Sequence, residues 1–261
     1  ASQTARGMYV DSHCHLSFPA LHERIDDIRQ QMAAAQVDRA LCICTTLEEF
    51  ETVHALAMAH DNFWCTVGVH PDSEGVQEPT LDDLVQRAGL PRVVGIGETG
   101  LDYFRTGPEG QPAQQDAFRW HIDLAKRLGK TLQIHDRDAH DDVLRILDEE
   151  GAPERTVLHC FSGDVGMAQR AVERGLYLSF AGTVTFSSAK GLRDALSVVP
   201  LDRVLVETDA PYLTPHPWRG AANAPYLIPV TVRAMAHVLG VAVPTLCQAI
   251  AANSERLYGP W

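Results

Sequence analysis

The stretch Val93-Val-Gly95-Ile-Gly97-Glu98-Thr-Gly100-Leu-Asp102 decides the fold. It opens as a short β-prone apolar run, residues 93–97, then turns polar and presents a carboxylate. A segment of helical character, residues 114–128, follows it. Similar short runs recur at residues 9–11, 40–45, 64–69, 132–134, 157–159, 177–180 and 204–207, which makes eight with this one. Helical stretches at residues 47–60, 81–88, 139–150, 165–174 and 227–239 alternate with them. Strands alternating with helices of this length are βαβ units of a parallel sheet. Eight units in 261 residues predict an α/β chain folded as a closed (β/α)8 TIM barrel rather than an open sheet. Residues 244–257 are expected to add a C-terminal helix. No repeat or Pro/Gly/Ser-rich linker interrupts the chain, so residues 8–261 are expected to form a single domain. Residues 1–7, small and polar ahead of Met8, are expected to be a disordered extension or a remnant of the expression vector.

Composition narrows the function classes. Lys and Arg number 22 and Asp and Glu 34, a net charge of −12, which excludes a protein that coats nucleic acid with a basic surface. An enzyme whose bound ions supply local positive charge remains compatible with it. No apolar run approaches the roughly 18–20 residues needed to span a bilayer, so no membrane partner is expected. The six cysteines are scattered and form no Cys-x-x-Cys, which suggests reduced thiols in a cytoplasmic protein. Cys42 and Cys44 lie in an apolar run and are expected to pack, as are Cys14 and Cys160.

The polar residues collect where the predicted strands end. The first strand runs into Asp11-Ser-His13-Cys-His15, the third into Gly68-Val-His70-Pro71, and the fourth into Gly95-Ile-Gly97-Glu98-Thr-Gly-Leu-Asp102. The fifth runs into Gln133-Ile-His135-Asp-Arg137, the sixth into His159-Cys-Phe-Ser-Gly163, and the eighth into Glu207-Thr-Asp209. That is the face on which barrel active sites are built. Five of the twelve histidines fall there, more order than core filling would produce. His13 and His15, two apart on a strand, are expected to face the same way. With His135, His159, Glu98 and Asp209 they offer four imidazoles and two carboxylates. A tetrahedral structural zinc needs only four ligands. Six suit two divalent ions sharing an anionic bridge, roughly 3.5–4 Å apart, and Glu98 is the candidate bridge. The Gly-x-Gly-x-x-Gly of residues 95–100 is not a dinucleotide fingerprint, because Glu98 occupies it and no acidic residue follows on a second strand end.

Taken together, Asp11–Leu16, Gly68–Pro71, Gly95–Phe104, Ile134–His140, His159–Gly163, Glu207–Leu213 and Arg219–Pro225 resemble the TatD family of metal-dependent deoxyribonucleases, within the amidohydrolase-like metallohydrolases. The resemblance spans nearly the whole chain. It implies a TIM barrel with His13, His15, Glu98 and Asp209 around one ion, and Glu98, His135 and His159 around the other. It implies a 3′→5′ exonuclease acting on DNA ends with Mg²⁺ or a similar ion. Family members often carry Asp where Ser17 stands, and Lys-Arg-Asn-Glu-Pro where this chain has Ala221-Ala-Asn223-Ala-Pro225. Glu98 stands where related phosphotriesterase-type enzymes use a carboxylated lysine, and none of Lys126, Lys130 or Lys190 lies at that strand end.

The chemistry then expected is hydrolysis, with Asp209 orienting a water and taking its proton, and Glu98 holding both ions. Four histidines suit Zn²⁺ or Mn²⁺, whereas the family favours Mg²⁺. His70 and Arg137 are candidate contacts to a substrate phosphate. Asp11, Gln133 and Glu207 lie one layer deeper and are candidates for orienting the ligands. Trp218 and Arg219 could stack on and pair with a DNA end. No obligate protein partner is implied. Two other readings share these residues: hydrolysis of an ester, lactone or amide, aminoacyl-tRNA included, and a non-catalytic metal-stabilised binding protein.

Overall fold

Eight parallel strands pair in chain order: β1 (Tyr9–Cys14), β2 (Val37–Cys42), β3 (Phe63–Val67), β4 (Val93–Asp102), β5 (Thr131–Arg137), β6 (Thr156–Leu158), β7 (Tyr177–Phe180) and β8 (Val204–Val206). The computed structural model describes residues 8–72 and 80–259. Residues 1–7, expected to be an extension, lie outside the described residues. The ladders run unbroken from β1 to β8, and the seam between β8 and β1 is nearly closed. Three bonds stitch it: the Asp209 N–H to His13 O at 2.9 Å, the His15 N–H to Ala210 O at 2.9 Å, and the Ser12 hydroxyl to Val206 O at 2.9 Å. This is the expected TIM barrel.

Ten α-helices surround the strands among the described residues: α1 (Pro19–His22), α2 (Ile25–Ala34), α3 (Leu47–Ala59), α4 (Leu81–Ala88), α5 (Gln111–Leu128), α6 (His140–Glu150), α7 (Val165–Glu173), α8 (Lys190–Ser197), α9 (Ile228–Leu239) and α10 (Val243–Tyr258). Local chemistry sets their ends. Thr80 and Asp83 form a reciprocal capping box ahead of α4, and the Asp164 carboxylate accepts the Met167 N–H to start α7. Gly129, at φ +63°, closes α5 in the left-handed conformation. No bounds were expected for the short α1 or the strongly polar α2. Among the described residues no single helix is long and apolar enough to cross a membrane.

Apolar side chains fill two layers. Leu84, Phe118, Ile122, Leu144 and Leu196 pack helices onto the outside of the barrel. Val10, Leu41, Val157 and Leu205 form a second cluster with Leu257 and Tyr258 of α10. The Tyr258 hydroxyl reaches the Gln133 side chain at 2.6 Å, so the C-terminal helix is tied into this cluster beneath the polar layer. The strands' carboxyl ends are left to the ionisable groups.

Candidate metal centre

Two glycines let β4 carry its carboxylate inward. At Gly97 (φ +147°) an added Cβ would lie 2.6 Å from the Gln133 carbonyl oxygen, and at Gly100 (φ +142°) it would overlap the His135 carbonyl. Only glycine takes these conformations at little cost and lets β4 lie this close to β5. The strand therefore runs on to Asp102, five residues beyond its expected end, and Glu98 lies within it, its N–H bonded to Cys44 O at 3.0 Å. Asp209 is held at φ +54° and Cys160, beside His159, at φ +46°. Non-glycine residues adopt this region at a cost, and such strain gathers where a side chain must be aimed.

The six expected ligands converge. His13 Nε2 and His15 Nε2 lie 3.4 and 3.8 Å from Glu98 Oε2, and 3.4 and 3.2 Å from Asp209 Oδ1. The other oxygen of Glu98, Oε1, faces a second group: His159 Nε2 at 2.9 Å, His135 Nδ1 at 3.2 Å and His70 Nε2 at 3.4 Å. One carboxylate thus divides its two oxygens between two clusters. His13 Nε2 and Glu98 Oε2 are buried and have no hydrogen-bond partner among the described residues. A buried polar atom left unpaired costs about 1–3 kcal/mol. A cation between them would satisfy both, so the residues fit a divalent ion, with imidazole and carboxylate donors suited to Zn²⁺, Mn²⁺ or Mg²⁺. His15 lies just past β1 rather than on it, and packs its ring on Phe18 at 4.6 Å.

Two residues of the deeper layer, Gln133 and Glu207, each hold a histidine ring from another strand. Gln133 Oε1 accepts the His13 Nδ1–H at 2.7 Å, and its amide nitrogen donates to Ser12 O at 3.0 Å, which fixes the amide's orientation. Glu207 accepts from His159 Nδ1 at 3.0 Å and from the Cys160 N–H at 2.8 Å. Asp11 touches no imidazole. It accepts the backbone N–H groups of His13 and Thr208 at 3.1 and 3.0 Å and the Thr208 hydroxyl at 2.6 Å, locking the seam. The sequence reading gave no role to Asp102, whose Oδ2 lies 2.9 Å from His135 Nε2.

The charges in the centre are mutually stabilised. Burial alone would raise Glu98, but the imidazoles of His159, His70 and His13 hold its carboxyl well below the usual range. Burial likewise opposes ionisation of Asp209, but the His15 hydrogen bond and the charges of His13, His159 and His15 together lower the carboxyl. His135 is pushed up to about 9, because its bonds to Asp102 and Glu98 overcome burial. Burial pushes Asp11, farther from the imidazoles, up to about 7.

The rim is less committed. His70 Nδ1 accepts the Asp72 N–H at 3.0 Å, so in the neutral ring the proton sits on Nε2, the atom 3.4 Å from Glu98 Oε1. Arg137 is exposed, stacked on Phe104 at 3.8 Å. Nearby carboxylates are turned elsewhere: Asp136 to His140 and Asp141 to Arg170. Arg219 stacks on Phe186 at 3.9 Å, and Trp218 is exposed. In the alanine-rich stretch 221–225, Asn223 is fully buried and donates to Thr208 O at 3.0 Å and Tyr212 O at 2.7 Å, which braces the turn carrying Asp209. Cys14, Cys42 and Cys44 are buried free thiols, as expected of packing residues, whereas Cys160 is half-buried beside His159.

A family model described as TatD related DNase matches residues 10–259. A protein named metal-dependent hydrolase TatD, from Mycobacterium tuberculosis, is 41% identical over 258 residues, covering 96% of this chain and 97% of that protein. A protein of Citrobacter rodentium named 3′-5′ ssDNA/RNA exonuclease TatD is 37% identical over 243 residues, covering 90% and 91%. Among solved structures, the TatD homologue YjjV of Escherichia coli superposes with a TM-score of 0.91 at 29% identity, covering 96% of this chain and 98% of that one.

Proposed function

The chain belongs to the TatD family of metal-dependent hydrolases, and on that premise we propose that it is a binuclear phosphodiesterase that shortens DNA from its 3′ ends. One observation carries the reading: Glu98 directs one oxygen to the His13–His15–Asp209 group and the other to the His135–His159 group. Sites that hold two ions roughly 3.5–4 Å apart around a shared anion recur in phosphatases, polymerases and nucleases. The 3′-5′ ssDNA/RNA exonuclease of C. rodentium, 37% identical, supports the choice of a nucleic-acid end as substrate.

In this reading His13, His15, Glu98 and Asp209 would hold one divalent ion, and Glu98, His135 and His159 a second. Bound there, such ions supply Lewis acidity that lowers the pKa of water and neutralises phosphate charge. The chain's own groups do the rest. Asp209 keeps Oδ1 toward His13 and His15, and Oδ2 orients the attacking water and receives its proton. His70 Nε2–H donates to a non-bridging phosphate oxygen. Arg137, held flat on Phe104 at 3.8 Å, meets the next phosphate with a planar pair of donors. Gln133 and Glu207 keep the His13 and His159 protons on Nδ1, so that both rings present Nε2 to the centre.

The test uses chelator-treated protein, a panel of divalent ions, and end-labelled single-stranded DNA beside a covalently closed circle and a set of small esters. The expected result is progressive shortening of the linear strand from the 3′ end while the circle survives. Cutting of the circle at a comparable rate rejects the exonuclease. Turnover of esters without any DNA hydrolysis assigns the centre to the ester-hydrolase reading instead.

A further inference from the structure

We propose that Asp102 is a positioning residue: it fixes the tautomer of His135 and thereby sets the divalent-ion affinity of the Glu98–His135–His159 cluster, an inference that rests on the two-ion reading. An ionised carboxylate can only accept hydrogen bonds. His135 Nε2, 2.9 Å from Asp102 Oδ2, must therefore carry a proton. The lone pair of the neutral ring is then left on Nδ1, the atom 3.2 Å from Glu98 Oε1. His13 and His159 work the other way round: each is held through Nδ1 and presents Nε2. His135 thus needs a carboxylate on its far side, and Asp102 supplies it.

The carboxylate has no freedom to turn away. Asp102 is buried, and its Oδ1 accepts the N–H groups of Phe104 and Arg105, both at 3.1 Å. Its backbone is clamped by Gln114, which accepts the Asp102 N–H at 2.9 Å and donates to the Asp102 carbonyl at 3.2 Å. The β4–β5 ladder sets Gly100 opposite His135 and Asp102 opposite Arg137. Asp136, the nearest carboxylate in sequence, is engaged elsewhere, with Oδ2 on His140 Nδ1 at 2.6 Å and Oδ1 on the Ala139 N–H at 3.2 Å.

The two oxygens of Asp102 do different things, and Asp102→Asn separates them. With its oxygen at the Oδ1 position, the amide keeps both turn bonds and sets an NH₂ group against Nε2. The ring must then move its proton to Nδ1, pointing it where the ion would sit. With the amide reversed, the turn loses its acceptor. Asp102→Glu keeps an acceptor for Nε2 while disturbing the turn more.

The test is calorimetric titration of Mn²⁺ into the chelator-treated full-length protein. Loss of such a partner commonly weakens metal binding about 10–100-fold. Asp102→Asn is expected to weaken one class of site by that factor and leave the other within about twofold, with Asp102→Glu closer to wild type. In a His135→Ala background, Asp102→Asn is expected to change nothing further, which a merely structural role would not produce. The proposal is overturned if Asp102→Asn leaves both affinities intact, if its effect persists without His135, or if Asp102→Glu binds more weakly than Asp102→Asn. A wild-type protein that takes up one ion refutes the two-ion reading. The cycle still decides the proposal in that case: coupling between Asp102 and His135 supports it and additivity overturns it.

Discussion

Asp209→Asn should abolish turnover and leave the fold in place. The side chain sits at φ +54°, a region in which Asn is as well tolerated as Asp. The backbone bonds that hold the turn, Asp209 N–H to His13 O at 2.9 Å and Tyr212 N–H to Asp209 O at 3.0 Å, do not involve the side chain. An amide oxygen can still face His13 Nε2 and His15 Nε2, which stand 3.4 and 3.2 Å from Oδ1. What is lost is the charge and the basicity. Removal of a general base costs about 10²–10⁴ in rate, or about 2.7–5.4 kcal/mol at about 1.36 kcal/mol per decade. Glu98→Gln should do more damage to metal content, because both clusters depend on its two oxygens. The assay is release of 3′-terminal nucleotides at saturating metal, with metal content measured by mass spectrometry on the same samples. Near-normal turnover by Asp209→Asn with unchanged metal content would refute its role as the base.

Gly100→Ala should destabilise the protein by about 1–3 kcal/mol and reduce metal uptake, since a Cβ there overlaps the His135 carbonyl; a thermal midpoint equal to wild type would contradict the account of β4. Chelation should remove activity and leave far-UV circular dichroism intact, because the ladders and apolar layers do not depend on ions. Saturation at about 100 times Kd should then add about 2.7 kcal/mol of stability, whereas unfolding on chelation would favour the metal-stabilised scaffold. The Asp136 hydrogen bond raises His140 above the ordinary histidine value of 6.5. That pair therefore stabilises the fold below the unfolded pKa and fades as pH rises through the raised one. The thermal midpoint difference between wild type and Asp136→Asn should accordingly be larger at pH 6 than at pH 9, and a pH-independent difference would count against the pairing.

The convergence of the six candidate ligands was legible because a barrel aims the residues at its strand ends to one place, so position along the chain stands in for position in space. His13, Glu98, His135, His159 and Asp209 needed only that rule. Partnership across strands did not follow from it. Gln133 was expected to orient a ligand, and which one it holds, His13, depends on how the strands tilt and stagger around the ring. Asp102 stood in the run that follows the fourth predicted strand but was given no role, because β4 was expected to end near Gly97, and it continues through Gly97 and Gly100 to Asp102. Asn223 lies in a stretch whose departure from the family pattern drew attention to the lost charges, and its buried amide was the part that mattered to the Asp209 turn. The helices α1 and α2 passed unread although Ile25, Ile28 and Met32 give the second of them a helical spacing.

The central claim is that Glu98 bridges two ions, and anomalous scattering from crystals grown with saturating Mn²⁺ tests it most directly. The account predicts two peaks roughly 3.5–4 Å apart, one beside His13, His15 and Asp209, the other beside His135 and His159, with Glu98 between them. A single peak at full occupancy would contradict it.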